Sequence, residues 1–395
     1  MPTSPDRPAP DPPPAPDSVA VRPTFARVDL DAVRANYAAV ARHVNGPRAP
    51  LVIAVVKANA YGHGAVPVAR ALEQAGAAML ACADIEEAVT LRDGGITAPI
   101  LVFGALGISD LDGVFTHGLT PTVSSPFAAR ALSDAAARRG ATVTCHLKID
   151  TGMNRLGFRF DNLGHTIRDV LGRPGLEIAA AYTHFATADE PAHPLFDLQR
   201  KRFDESLRRL AGMGIRPGLR HAANSAALLR DRSTWYDAVR PGLLLYGLVP
   251  PGLEATVPVA PAMTMRSQVV AVKGMRAGET TGYGARAPVD RPATIAVVPA
   301  GYADGLDVRM AGRCSVLVRG RRVPVVGAVS MDSITIDVTG LDVTPGDEVV
   351  LVGEQSRRRI GAGEIAAALG TVPHEVLCRT GSRIVRTYAG RASPR

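Results

Sequence analysis

Of the 395 residues, 46% are hydrophobic and 21% charged, ordinary proportions for a globular protein with a substantial core. The formal charge of +8 is spread over both signs, without aromatic and basic residues interleaved, so a nucleic-acid surface is not expected. No apolar run approaches the roughly 20 residues that span a bilayer, so no membrane partner is expected either.

At about 150 residues per domain, the length predicts two or three domains, or one barrel with an addition. The stretch 1–23 is dominated by prolines, which block helix and sheet hydrogen bonds. It reads as a disordered tail without the apolar core of a secretory signal. Residues 25–30 form a predicted strand, with Asp31 placed to cap the next helix. In that helix Val33, Tyr37, Val40 and Val44 recur at spacings of three and four. Strands then follow near 51–56, 79–83, 100–103, 120–123, 143–149, 176–182, 219–222 and 237–240. Between them lie helical stretches near 64–76, 84–93, 109–117, 125–139, 161–171, 196–212 and 224–230. Eight short apolar strands, each followed by a helix or loop, predict an α/β fold: an eight-stranded parallel TIM-type barrel over 24–254. A doubly wound open sheet shares this alternation, and periodicity does not separate the two.

Over 255–395 the pattern changes. TIAVVPAGY, CSVLVRG, RVPVVGAV, SITIDV and DEVVLVG are strand-like runs separated by Gly, Pro and Asp turns. They predict a mostly β domain, interrupted by one helix near 362–369 and joined by the early strand at 25–30. The basic runs Arg319–Arg322 and Arg357–Arg359 read as solvated turns. Cys82, Cys145, Cys314 and Cys378 are scattered, as reduced thiols of a cytoplasmic protein would be. The nine histidines include no His-x-His pair and no His-x-x-x-His face, so no metal is expected.

Four of the 45 basic residues are lysines: Lys57, Lys148, Lys201 and Lys273. Lysine, unlike arginine, can lose its proton and attack an aldehyde. Lys57 ends the apolar run of LVIAVVKANAYGHG, where burial disfavours the ammonium form. Gly62 and Gly64 allow a tight loop close to a ligand. Active sites of barrels lie at the C-terminal strand ends. That rim collects Lys57, Lys148, Arg155, His184, His221, Asn224, Ser225, Arg240 and Gly242. The loops after the seventh and eighth strands offer the Ser225 hydroxyl and the N–H groups around Gly242 and Leu243 to a phosphate. An imine-forming lysine together with a phosphate site points to pyridoxal phosphate, with Arg240 a candidate partner for the ring nitrogen.

VVKANAYGHG resembles the cofactor-lysine signature of alanine racemases. The resemblance continues through KIDTGMNRLG, YTHFATAD, HAANSAALL, RPGLLLYG, TGYGA, PAGYADG and SMDSITIDV, spanning about 24–388 in family order. It implies a homodimer with shared active sites, pyridoxal 5'-phosphate as cofactor and alanine as substrate. Lys57 would carry the cofactor and act as one base. Tyr283 of the partner subunit would be the other, and a phenol needs assistance to act as a base. Tyr61, Asn224, Ser225, Gly242 and Leu243 would surround the phosphate, and His184 and Arg240 would form a polar chain that tunes the site. Arg155 and the Met331 N–H would meet the substrate carboxylate, with Lys148, carbamylated in many members, and Asp332 in support. His374 stands where the family usually has a tyrosine near the phosphate and substrate entrance. Ala328 replaces an arginine and Ser330 a cysteine found in many members, which bears on substrate breadth.

Overall fold

The structure is a computed structural model that describes residues 22–104, 111–170, 172–285 and 288–390. The tail expected over 1–23 falls outside them up to residue 21. The described residues divide into two units, one of Leu30–Ala262 and one combining residues 22–29 with Met263–Gly390.

The first unit is a closed barrel. Its strands are Leu51–Val55, Met79–Cys82, Ile100–Val102, Thr120–Val123, Val143–Asp150, Leu176–Tyr182, Leu219–His221 and Ala238–Val239. Neighbours pair in parallel, and the eighth strand pairs back onto the first through Ala238 with Leu51 and Val239 with Val52. That closure excludes the open-sheet alternative. The strands are apolar because both faces are covered: Ile53, Val55, Ala81, Leu101 and Ala238 form a cluster packed by Tyr61, Met79 and Phe103. Helices start where side chains satisfy their free N–H groups. Asp84 caps Ile85–Asp93 and Ser125 caps Pro126–Arg139, each cap contributing about 1 kcal/mol.

Two boundaries differ from the sequence reading. The first helix is Leu30–His43, so Asp31 lies in its first turn, where it complements the helix dipole and pairs with Arg34 at 2.8 Å. The barrel unit also keeps the chain through Ala262. Asn36 Nδ2 donates to Ala260 O and Asn36 Oδ1 accepts from Ala260 N, both at 2.8 Å, which ties that segment to the first helix.

In the second unit a sheet runs through most of Met263–Gly390. Phe25–Asp29 lies antiparallel to Met263–Gln268 and parallel to Val385–Ala389, so the early strand joins this sheet. The helix Ala362–Leu369 is followed by a second, Pro373–Cys378. Its proline occupies the first turn, where the missing N–H costs nothing.

Candidate active site

After the first barrel strand the backbone reverses hand. Ala58, Asn59, Ala60 and Tyr61 all take positive φ, from 52° to 54°, a left-handed turn directly behind Lys57. L-residues resist this conformation by roughly 1–2 kcal/mol each. Side chains hold it in place. Glu87 accepts from Ala58 N at 2.6 Å and Ala83 N at 2.8 Å, and Asn59 Oδ1 accepts from Ala65 N at 2.7 Å. Buried His63 lies 3.0 Å through Nδ1 from both Ala60 O and Tyr61 O. Lys57 itself is half-buried at the rim.

The turn delivers Tyr61 to the seventh and eighth strand ends. Its ring stacks on Tyr246 at 4.8 Å, and Tyr246 in turn donates to Val55 O at 2.8 Å. A Cβ on Gly242 would stand 2.5 Å from the Tyr61 hydroxyl, so only glycine admits that approach. Ser225 Oγ accepts from Gly242 N at 3.0 Å and Leu244 N at 3.4 Å, while Leu243 opens the short helical turn Leu243–Tyr246. Two hydroxyls and the backbone of the 242–244 loop thus converge. Asn224 caps Ser225–Arg230 through Oδ1, which accepts from Ala227 N at 2.9 Å. Asn224→Ala is expected to lower stability by about 1 kcal/mol, read from the midpoint of denaturant unfolding.

Across the rim sits Arg240, 3% exposed. Its Nη1 donates to His221 Nδ1 at 2.8 Å; Nη2 donates to Thr183 O and Ala222 O at 2.9 Å and lies 3.3 Å from His184 Nδ1. These partners are all uncharged, and burial lowers the guanidinium to about 10, still protonated at neutral pH. Its field reaches its neighbours. Burial, then Arg240, Lys148, Arg155 and Lys57, hold the His184 imidazole well below the usual range. Lys148 is 7% exposed, and burial followed by Arg240 and Arg155 brings its amine down to about 7. Its Nζ lies over the Tyr182 ring, 4.7 Å from the centroid. Asp150 shapes the loop beyond, accepting from Gly152 N at 2.9 Å and Asn154 N at 3.1 Å, and this loop carries exposed Arg155.

Three buried residues of this rim went unassigned in the sequence. Gln199 donates to Thr151 Oγ1 at 3.1 Å and His184 O at 3.0 Å and accepts from Ala186 N at 2.8 Å, fixing the His184 loop. Tyr182 stacks on His221 at 4.7 Å and bonds Thr122 Oγ1 at 2.9 Å. His146 lies 3.0 Å from His221 through Nδ1. A signal existed for His146: it stands two residues before Lys148 on one strand, so both share a face.

Tyr283, Met331, Asp332 and His374 belong to the β unit. Tyr283 is 79% and Met331 50% exposed. The Met331 loop is held from two sides. Tyr302 N donates to Ser330 O at 2.9 Å and Ala303 N to Met331 O at 3.1 Å, while Ser330 Oγ accepts from Ser333 N at 3.0 Å. Gly301 packs so closely that a Cβ there would lie 2.3 Å from Met331 O. Asp332 pairs with Arg383 at 2.8 Å. Buried Asp304 binds Arg22 at 2.7 Å and Gly301 N at 2.9 Å, anchoring the loop beneath. His374 is half-buried in the first turn of Pro373–Cys378.

Residues 28–250 match the family model described as "Alanine racemase, N-terminal domain", and residues 262–388 match "Alanine racemase, C-terminal domain". Barrel, β unit and both matches define an isomerase. The chain belongs to the alanine racemase family. It is 44% identical to alanine racemase of Symbiobacterium thermophilum over 379 residues, 95% of this chain and 100% of that one. Alanine racemase from D-cycloserine-producing Streptomyces lavendulae superposes with a TM-score of 0.88 at 36% identity, covering 94% of this chain and 98% of that one. The Bartonella henselae alanine racemase with covalently bound pyridoxal phosphate gives a TM-score of 0.82 at 30% identity, covering 93% and 99%.

Proposed function

We propose that this chain interconverts L- and D-alanine on pyridoxal 5'-phosphate in the cytoplasm, supplying D-alanine for peptidoglycan. The observation that carries the reading is the barrel rim, where Lys57, a hydroxyl and N–H cradle and a buried guanidinium occur together. A phosphate suits the cradle of Tyr61 Oη, Ser225 Oγ and the 242–243 backbone, and Arg240 suits a pyridine nitrogen as a donor that cannot give up its proton. The Bartonella relative holds this cofactor covalently, which supports Lys57 as its anchor here. Among the described residues no helix is long and apolar enough to cross a membrane, and all four cysteines are free, which supports the location.

Pyridoxal phosphate, when bound, draws electrons from the Cα–H bond of the amino acid joined to it. Inversion then needs a base on each face. Lys57 Nζ takes or returns the proton on one side, and the hydroxyl of Tyr283 of the partner subunit does so on the other. Arg240, a donor that keeps its proton, would hold the cofactor's ring nitrogen unprotonated, which would weaken the cofactor as an electron sink and disfavour side reactions. Arg155 would hold the substrate carboxylate, helped by the N–H of Met331 of the partner subunit; within the barrel His184 couples to Arg240 and Asn224 shapes the surroundings. A coupled assay with L-alanine and L-serine tests the reading, serine because Ala328, Ser330 and His374 depart from the family pattern. Formation of D-alanine is expected; no D-isomer from either amino acid, despite bound cofactor, would sink it.

Two further results are expected. An amine brought down to about 7 is available to carbon dioxide at neutral pH, and the carbamate would give Arg155 an anion in place of a buried like charge. Native mass spectrometry should find one carbon dioxide on Lys148, absent in Lys148→Ala and lost on acidification well below that value, because protonation removes the nucleophile. An unmodified Lys148 in bicarbonate buffer contradicts this. Light scattering at assay concentration should give a dimer, since Tyr283 would complete a neighbour's site. An active species that stays monomeric contradicts the sharing.

A further inference from the structure

The His146–His221–Arg240 chain runs in one direction only. A guanidinium has donors and no acceptor. Its Nη1 lies 2.8 Å from His221 Nδ1, so that nitrogen presents a lone pair and the ring proton sits on Nε2. Nε2 in turn lies 3.0 Å from His146 Nδ1, which must accept. His146 therefore carries its own proton on Nε2. Both rings are sealed from water, at 1% and 0% exposure. An imidazolium at His221 would aim an Nδ1 proton at the guanidinium; burial, then Arg240, His146 and Lys148, keep that ring neutral.

One freedom remains to be fixed. His221 stacks on Tyr182 with centroids 4.7 Å apart and planes 9° from parallel. Stacking sets the plane of the imidazole but not which edge faces Arg240. A half-turn of the ring leaves the plane unchanged and exchanges Nδ1 for a carbon, removing the acceptor. The hydrogen bonds to His146 and from Arg240 together select the edge. Without His146, a buried N–H loses its partner and the Arg240 bond alone holds that edge, so the preference for it falls.

We propose that His146 is a positioning residue for the reaction: by accepting from His221 Nε2 it orients that ring, and His221 then fixes the guanidinium of Arg240 toward the cofactor. The link to catalysis rests on the racemase reading; the link to His221 does not.

Magic-angle-spinning nitrogen-15 spectra of the cofactor-loaded full chain, labelled at histidine, read each ring's tautomer directly. The nine histidines are assigned with single His→Asn variants. The parent is expected to show His221 as one neutral form protonated on Nε2. His146→Asn, which keeps an acceptor at that point, should show the same form and near-parental kcat. His146→Leu should split the His221 signals and lower kcat about tenfold, the worth of one buried hydrogen bond, with KM for alanine within about twofold. If the leucine protein does not fold, His146→Gln, whose acceptor is displaced by a methylene, takes its place with the same expectation. A parent His221 protonated on Nδ1, or one unsplit Nε2–H form in the leucine or glutamine variant, overturns the proposal. The expected tautomers in a protein that racemises nothing would uphold the orienting role of His146 and sink the racemase reading alone.

Discussion

Lys57→Ala is expected to racemise L-alanine at least about 10^4-fold more slowly than the parent while keeping its fold. On the proposed mechanism that change removes both the covalent anchor for the cofactor and one of two bases, the latter alone worth roughly 10²–10⁴. The fold should survive because Lys57 is half-buried at a strand end and lies outside the apolar cluster of the barrel interior. The neighbouring turn is held by Glu87, Asn59 and His63. Circular dichroism should match the parent, and the absorbance of covalently bound cofactor should disappear. Racemisation retained within tenfold would remove Lys57 from the centre of the mechanism.

Tyr283→Phe should cost about 10²–10⁴ in racemisation and, unlike the lysine variant, leave the cofactor attached. The decisive reading is isotopic. With one base left, the variant should still exchange the Cα proton with deuterated solvent for one enantiomer of alanine, returning it on the same face. For the other enantiomer exchange should nearly cease. Little else in the fold depends on the hydroxyl, since the side chain is 79% exposed within its unit. Equal loss of exchange from both enantiomers would mean that Tyr283 does not serve a single face.

The barrel was legible because covering a strand on both faces demands an unbroken apolar run, and eight such runs occur with helical stretches between. Lys57 stood out for the same reason, as a charge at the end of one of them. The left-handed turn was not legible. Nothing in Ala58, Ala60 or Tyr61 signals positive φ, and only Asn59 among the four tolerates it readily. The helix Pro373–Cys378 was missed because proline reads as a breaker until its place in a first turn is seen. The orienting histidine escaped notice because its meaning depends on residues 75 positions away, a separation that no local pattern records. Asp31 shows the smaller error: the residue type was right for a helix start and the register was not.

Ala58, Ala60 and Tyr61 together oppose folding of their segment by roughly 3–6 kcal/mol, a large share of the whole stability of many domains. Such a turn has no comfortable partial form. Releasing Asn59 or Glu87 would free the backbone to return to right-handed geometry, carrying Tyr61 away from Gly242 and the lysine away from its strand end. The placing of Lys57 and of Tyr61 therefore rests on the same few hydrogen bonds, and a substitution at Asn59 or Glu87 is expected to disturb both ends of the motif.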